Sequence, residues 1–228
     1  GNIPDWDKIK KIADKYKLYL IEDSADTVGY DFKGSNTGQL SDISTTSFYG
    51  SHIITCAGIG GMACTNDPDL YEKMKIVRGW GRSSELFSPD ASLSIEDNLK
   101  DRFDIEIDGI SYDKKFIFEK EGYNFFAPEV CAAFGLIQLK RFDEFFSKRV
   151  SNFKYLKDNI SKNLSNYIIA PEETNGVKTN WLAYPIILKE GEPNLRTNLQ
   201  IFLERKNIQT RTIFSGNITR QPIMDGKV

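Results

Sequence analysis

The sequence is short of cysteine, has no excess of either charge and contains no long apolar run, and each shortage excludes something. Its three cysteines, Cys56, Cys64 and Cys131, sit in apolar surroundings, are odd in number and show no paired metal-ligand spacing. That pattern fits a reduced, cytoplasmic protein. Lysine and arginine number 30 against 32 aspartates and glutamates, a net charge of −2, with no long run of one sign. Such a balance argues against nucleic acid or an anionic membrane as the main partner. No segment is apolar for long enough to span a bilayer, and the sequence reads without a signal peptide. Internal repeats and low-complexity tracts are absent as well.

What is present suffices for a core. With 228 residues, 40% of them hydrophobic and 12% aromatic, the chain fits one large domain or one and a half smaller ones. Residues 2–17 read as a helix, because Ile3, Trp6, Ile9, Ile12 and Ala13 recur near a 3.6 period and Asp5 follows Pro4 at the start. Residues 18–21 form a continuous apolar run that closes on Glu22-Asp23. Buried parallel strands have this look, and carboxylates at their C-terminal ends face the crevice where such sheets bind ligands. A Gly/Asn/Ser-rich loop over 30–41 precedes a second strand at 43–49, then a turn and third strand at 58–65, then a helix over 67–77. This alternation is the rhythm of an α/β sheet. Residues 83–121 are polar, acidic and irregular. Residues 129–161 read as helical with a break near Phe142-Asp143. A strand over 181–188, a helix over 195–206 and a strand over 208–213 suit a small α+β domain. The opening at Gly1 in a turn, and the close at Lys227-Val228 just after a glycine, predict a piece of a longer chain.

Five constellations could carry chemistry. Glu22-Asp23-Ser24-Ala25-Asp26 ends a buried strand, where a carboxylate could hold a protonated ring nitrogen or merely cap a turn. Ser47-Phe48-Tyr49-Gly50-Ser51-His52, followed by Gly58-Ile59-Gly60-Gly61, places a hydroxyl, glycines and the chain's one histidine after a strand. Backbone N–H groups there can approach a phosphate, and an imidazole moves protons near neutral pH. A lone histidine is more often structural than catalytic. Arg78-Gly79-Trp80-Gly81-Arg82 could clamp a phosphate or stack on a base, or form a helix-end surface. Gly122-Tyr123-Asn124, and Thr210-Arg211 with Gly216-Asn217-Ile218-Thr219-Arg220-Gln221-Pro222, complete the set.

In this order the segments resemble the DegT/DnrJ/EryC1/StrS family of sugar-nucleotide aminotransferases and dehydratases. The resemblance runs over essentially the whole chain and is strongest at 18–64, 122–142 and 208–222. It implies a fold-type I PLP-dependent transferase: a partial large domain with a mostly parallel sheet at 1–140, and a small α+β domain at 141–228. By the same resemblance Asp23 pairs with the pyridinium nitrogen and a Thr-Gly-x-x-x-Asp stretch follows from Thr37 to Asp42. Ser47 binds the cofactor phosphate, and Asn124 reaches the phosphate in the partner subunit of a homodimer. Arg211, Asn217 and Arg220 belong to the sugar-nucleotide segment. Five residues after Ser47 the family has its Schiff-base lysine; this chain has His52.

That histidine, with Asp26 in the cofactor-binding set, resembles the family's 3-dehydratase subgroup. An imidazole forms no stable imine, so the cofactor would rest as PMP, held non-covalently. His52 would take a proton from its C4′ carbon as the C3 hydroxyl of an NDP-4-keto-6-deoxyhexose leaves. Residues 83–121 lack the cysteines with which one member builds an iron–sulfur centre. The resemblance therefore implies recycling by an amino donor such as glutamate, with no cluster. Gly58-Ile59-Gly60-Gly61 stands where the family has Gly-Glu-Gly-Gly. The alternatives are an aminotransferase variant that tolerates histidine, or a non-catalytic relative that senses cofactor or nucleotide.

Overall fold

A computed structural model describes residues 1–86, 92, 94–189 and 191–227. The elements in chain order are α1 (Trp6–Tyr16), β1 (Ile21–Asp23), β2 (Asp31–Phe32), β3 (Ser35–Asn36), β4 (Ile43–Ser47), β5 (Gly61–Cys64) and α2 (Pro68–Arg78). Then come α3 (Ile95–Phe103), β6 (Ile105–Ile107), β7 (Ile110–Tyr112), α4 (Glu129–Lys140) and α5 (Phe142–Asn163). β8 (Ile168–Ile169), β9 (Val177–Lys178), β10 (Ile187–Leu188) and α6 (Leu195–Glu204) complete the set. Two compact units result: Gly1–Lys148 with Thr174–Leu182, and Arg149–Glu173 with Ala183–Val228.

In the first unit the chain begins with a capped helix. The Asp5 side chain accepts from Lys8 N, and Lys17 closes α1 in the left-handed conformation at φ 54°. α1 buries Trp6 and Ala13. Trp6 joins Ile3, Tyr30 and Phe32 in a core on which Ile9, Leu20, Leu40 and Val177 pack. The central sheet has the order β1-β4-β5. β1 runs parallel to β4, with Asp23 opposite Thr45. β5 runs antiparallel to β4. A second sheet, β3-β2-β9, is antiparallel throughout. The sheet expected to be mostly parallel is therefore mixed. The loop over 48–60 brings the chain straight back to β4's neighbouring edge with no crossover helix, and a return without a crossover is antiparallel.

Several boundaries differ from the sequence reading, each for a local reason. β1 starts only at Ile21, because Leu18 N still bonds Ala13 O in the helix cap. Of 181–188 only Ile187–Leu188 is a strand, paired with β8. Trp181 sits at φ +35°, which breaks an extended run. No strand forms over 208–213; Asn207 turns at φ +59° and Thr210 is tied back to Glu204. Within 83–121, expected to be irregular, α3 and the β6–β7 hairpin are regular, and residues 87–91 and 93 lie outside the described residues. The break near Phe142 falls at Arg141, between α4 and α5. Among the described residues, no helix is long and apolar enough to cross a membrane.

Candidate cofactor and active site

Because β1 and β4 are parallel, both end at the same edge of the sheet. Successive strand residues face opposite sides. Asp23, Thr45 and Ser47 therefore share one face, and Glu22 and Ser44 share the other. Glu22 turns inward and is buried. It accepts hydrogen bonds from Ser24 Oγ, from Gly38 N at 3.0 Å and from Ser41 Oγ at 3.3 Å. Burial, and after it the Glu22 carboxylate, push the Tyr30 hydroxyl well above its ordinary range. Of the two adjacent carboxylates, the second, Asp23, lies on the opposite face. It is exposed, and its Oδ1 accepts only a local bond, from Ala25 N at 3.1 Å. A cavity of about 250 Å³ beside β1 is lined by Trp6, Ile9, Leu20, Glu22, Asp23 and Tyr30 among others, and by neither Ser47 nor His52.

Beyond β4 the chain closes a compact loop. Phe48 N bonds Gly60 O, Cys56 N bonds Phe48 O and His52 N bonds Tyr49 O, each at 2.9–3.0 Å. Gly58 and Gly60 turn it at φ +93° and +98°, a backbone that favours glycine. Ser47 is half-buried, and its Oγ accepts from Tyr49 N at 3.2 Å, so its proton is free to be donated. His52 lies in the first turn of the loop. Its Nδ1 is 2.6 Å from Asp26 Oδ1, and the Tyr49 ring meets its edge at a centroid distance of 6.0 Å. The structure thus gathers Asp23, Asp26, Ser47 and His52 on two adjoining strand ends.

The stretch from Thr37 to Asp42 is architectural. Thr37 Oγ1 accepts from Gly29 N at 3.0 Å, Asp42 Oδ2 from Leu20 N at 2.7 Å, and Asp42 O from Thr65 Oγ1 at 2.7 Å. A strap over 174–182, which the sequence reading missed, closes the same unit. Thr174 Oγ1 bonds Ile3 O, Thr179 Oγ1 bonds Gly1 O, and the fully buried Asn180 donates Nδ2 to Val28 O at 3.2 Å. No residue pattern announces this strap; two-residue β9 is too short for alternation to register.

Asn124 belongs to a different corner. It bridges Gly79, and its Oδ1 accepts from Phe126 N at 3.3 Å. Trp80 N donates to Tyr123 O, Tyr123 N to Val77 O and Phe125 N to Arg78 O, so the two glycine-bearing motifs are laced together. Arg78 pairs with Glu85 at 2.9 Å, while the Arg82 guanidinium lies 4.4 Å from the Trp80 ring centre, between Phe116 and Phe118. Arg211, Asn217 and Arg220 lie in the second unit. Both arginines are exposed, and Asn217 caps the turn over 218–220 by accepting from Thr219 N at 3.0 Å.

An exposed carboxylate and a half-buried hydroxyl at two neighbouring strand ends fit a protonated pyridine nitrogen and a phosphate. The fold is that of the fold-type I PLP-dependent transferases. The chain belongs to the DegT/DnrJ/EryC1/StrS aminotransferase family, whose model matches residues 1–228. It is 35% identical to the lipopolysaccharide biosynthesis protein RfbH of Salmonella typhimurium, over 97% of this chain and 50% of that protein. It is 33% identical to dTDP-4-dehydro-2,6-dideoxy-D-glucose 3-dehydratase of Saccharopolyspora spinosa, over 99% of this chain and 47% of that protein. Against GDP-perosamine synthase of Caulobacter vibrioides the identity is 30%, over 94% and 50%. The chain thus spans about half the length of these curated relatives. Among solved structures, E. coli GDP-4-keto-6-deoxy-D-mannose-3-dehydratase with bound hydrated PLP superposes with a TM-score of 0.78 at 24% identity, over 97% of this chain and 53% of that one.

Proposed function

We propose that the chain carries the cofactor-binding part of a PLP/PMP-dependent sugar-nucleotide enzyme that removes the C3 hydroxyl of an NDP-4-keto-6-deoxyhexose. One observation carries this reading: His52, five residues beyond Ser47 where the family's lysine is expected, is held against Asp26 at 2.6 Å. An imidazole does not condense with an aldehyde, so the cofactor is held by non-covalent contacts and rests as PMP. When bound, the cofactor supplies the electron sink. Asp23 opposes the positive ring nitrogen and keeps it protonated. Ser47 and the N–H groups beyond β4 hold the phosphate, and Asn124 serves the partner subunit of a homodimer. His52 takes and returns the proton, and Arg211, Asn217 and Arg220 bind the sugar nucleotide. The likeness to a relative named as a 3-dehydratase supports this chemistry. The likeness to a GDP-perosamine synthase supports a second reading, amino transfer to the same class of sugar with an amino donor such as glutamate.

The test is an absorbance titration of the whole protein with PLP and with PMP, before and after borohydride. PMP binding without a trapped lysine adduct is expected. His52→Lys is expected to abolish dehydration and to create a borohydride-trappable adduct. An unchanged dehydration rate in that variant, or an aminosugar product that keeps its C3 oxygen, would overturn the assignment.

A further inference from the structure

We infer that Asp26 is the positioning residue of His52: its carboxylate keeps the imidazole proton on Nδ1 and leaves Nε2 as the nitrogen that accepts and returns protons. The inference rests on the proposed role of His52, and it moves Asp26 from the cofactor's contacts to the histidine's. Asp26 lies three residues past Asp23, and His52 five past Ser47, so the pair joins the ends of the two adjacent parallel strands. The two atoms are in ion-pair contact at 2.6 Å, and among the described residues neither His52 Nδ1 nor Asp26 Oδ1 makes a hydrogen bond. Both atoms are buried, whereas the two side chains keep 18% and 31% of their surface. The Tyr49 ring lies beside the imidazole, inclined to it at 66°.

The chemistry follows from the proton count of imidazole. A neutral ring has one N–H, and a carboxylate can only accept, so Asp26 selects the tautomer with that proton on Nδ1. Nε2 then keeps its lone pair. On accepting a proton at Nε2 the ring becomes a cation, and the facing carboxylate stabilises that charge until the proton is returned. An amide at the same place could donate as well as accept, and the selection would vanish.

The tautomer can be read without cofactor or turnover. His52 is the single histidine of the chain, so a long-range ¹H–¹⁵N spectrum of histidine-labelled protein, assigned by the signal's loss in His52→Asn, reports it directly. With the ring neutral, the Nδ1–H pattern is expected in the unaltered protein. Asp26→Asn is expected to shift it towards Nε2–H and to lower kcat by about 10²-fold or more. Asp26→Asn should leave the thermal midpoint and the PMP titration nearly unchanged. An Nε2–H pattern in the unaltered protein, or a pattern indifferent to Asp26→Asn, would overturn the inference. If the tautomer switches as expected but His52→Asn keeps full dehydration, the positioning holds and the catalytic reading of His52 fails.

Discussion

Glu22 and Asp23 are adjacent carboxylates with opposite work, because a strand sends successive side chains to opposite faces. Glu22 is the acceptor for Ser24, just past β1, and for Gly38 and Ser41, brought to it by the loop that precedes β4. Removing it leaves the buried Ser24 hydroxyl and the part-buried Gly38 N without that acceptor, while Ser41 Oγ keeps its bond to Gly38 O. Glu22→Ala is therefore expected to cost about 1–3 kcal/mol, read as a lower urea midpoint. Among the described residues, the Asp23 side chain accepts a hydrogen bond only from Ala25 N in its own turn. Asp23→Ala should stay within about 0.5 kcal/mol of the parent while PMP binding is lost. Equal destabilisation by the two variants would mean that the faces are assigned wrongly. The sequence made the Glu-Asp pair visible at a strand end, but which of the two faces the crevice depends on register with β4, and register is a property of two strands together.

At the scale of elements, α1, α2, α4, α5 and α6 were legible, since a 3.6 period and end signals such as Asp5 and Asp67 act within a few residues. α3 was not, and the apolar run over 18–21, read as a buried strand, is a strand only from Ile21 and leaves Leu18, Tyr19 and Ile21 exposed. The short antiparallel pieces were not, because two-residue strands such as β9 take their conformation from partners far along the chain. The candidate site was legible as separate motifs; what stayed hidden was how the backbone joins them. Gly81 and Gly122 show that joint. A Cβ on Gly122 would lie 2.0 Å from Gly81 N and 2.5 Å from Trp80 C, and one on Gly81 would lie 1.7 Å from Lys120 O. These are backbone atoms, which cannot swing aside as a side chain can. Gly122→Ala is expected to lower stability by about 1–3 kcal/mol through displacement of the Arg78–Arg82 segment. Gly50→Ala, whose nearest neighbour would be 3.8 Å away, is the matched control. A Gly122→Ala protein as stable as the control would show that the two motifs are not locked together.

Over the whole molecule, the conspicuous surface is α4. Cys131 and Gly135 are buried on one side of it, with Cys56 Sγ seated where a Gly135 Cβ would be. Around the rest, Val130, Leu136, Ile137 and Leu139 are each more than half exposed. A helix apolar on nearly all sides is one that something covers, and contiguous exposed apolar surface marks an interaction site. The homodimer proposed for the active site supplies a cover, because α4 directly follows the Asn124 segment that is to reach the other subunit. Sedimentation of the whole protein is then expected to show a dimer. Charges introduced by Leu136→Lys with Ile137→Glu should shift it towards monomer while the far-ultraviolet dichroism stays that of the parent. A loss of helical signal without dissociation would assign the cover of α4 to the same chain. A dimer unaffected in both respects would place the subunit contact on another face and leave α4 outside it.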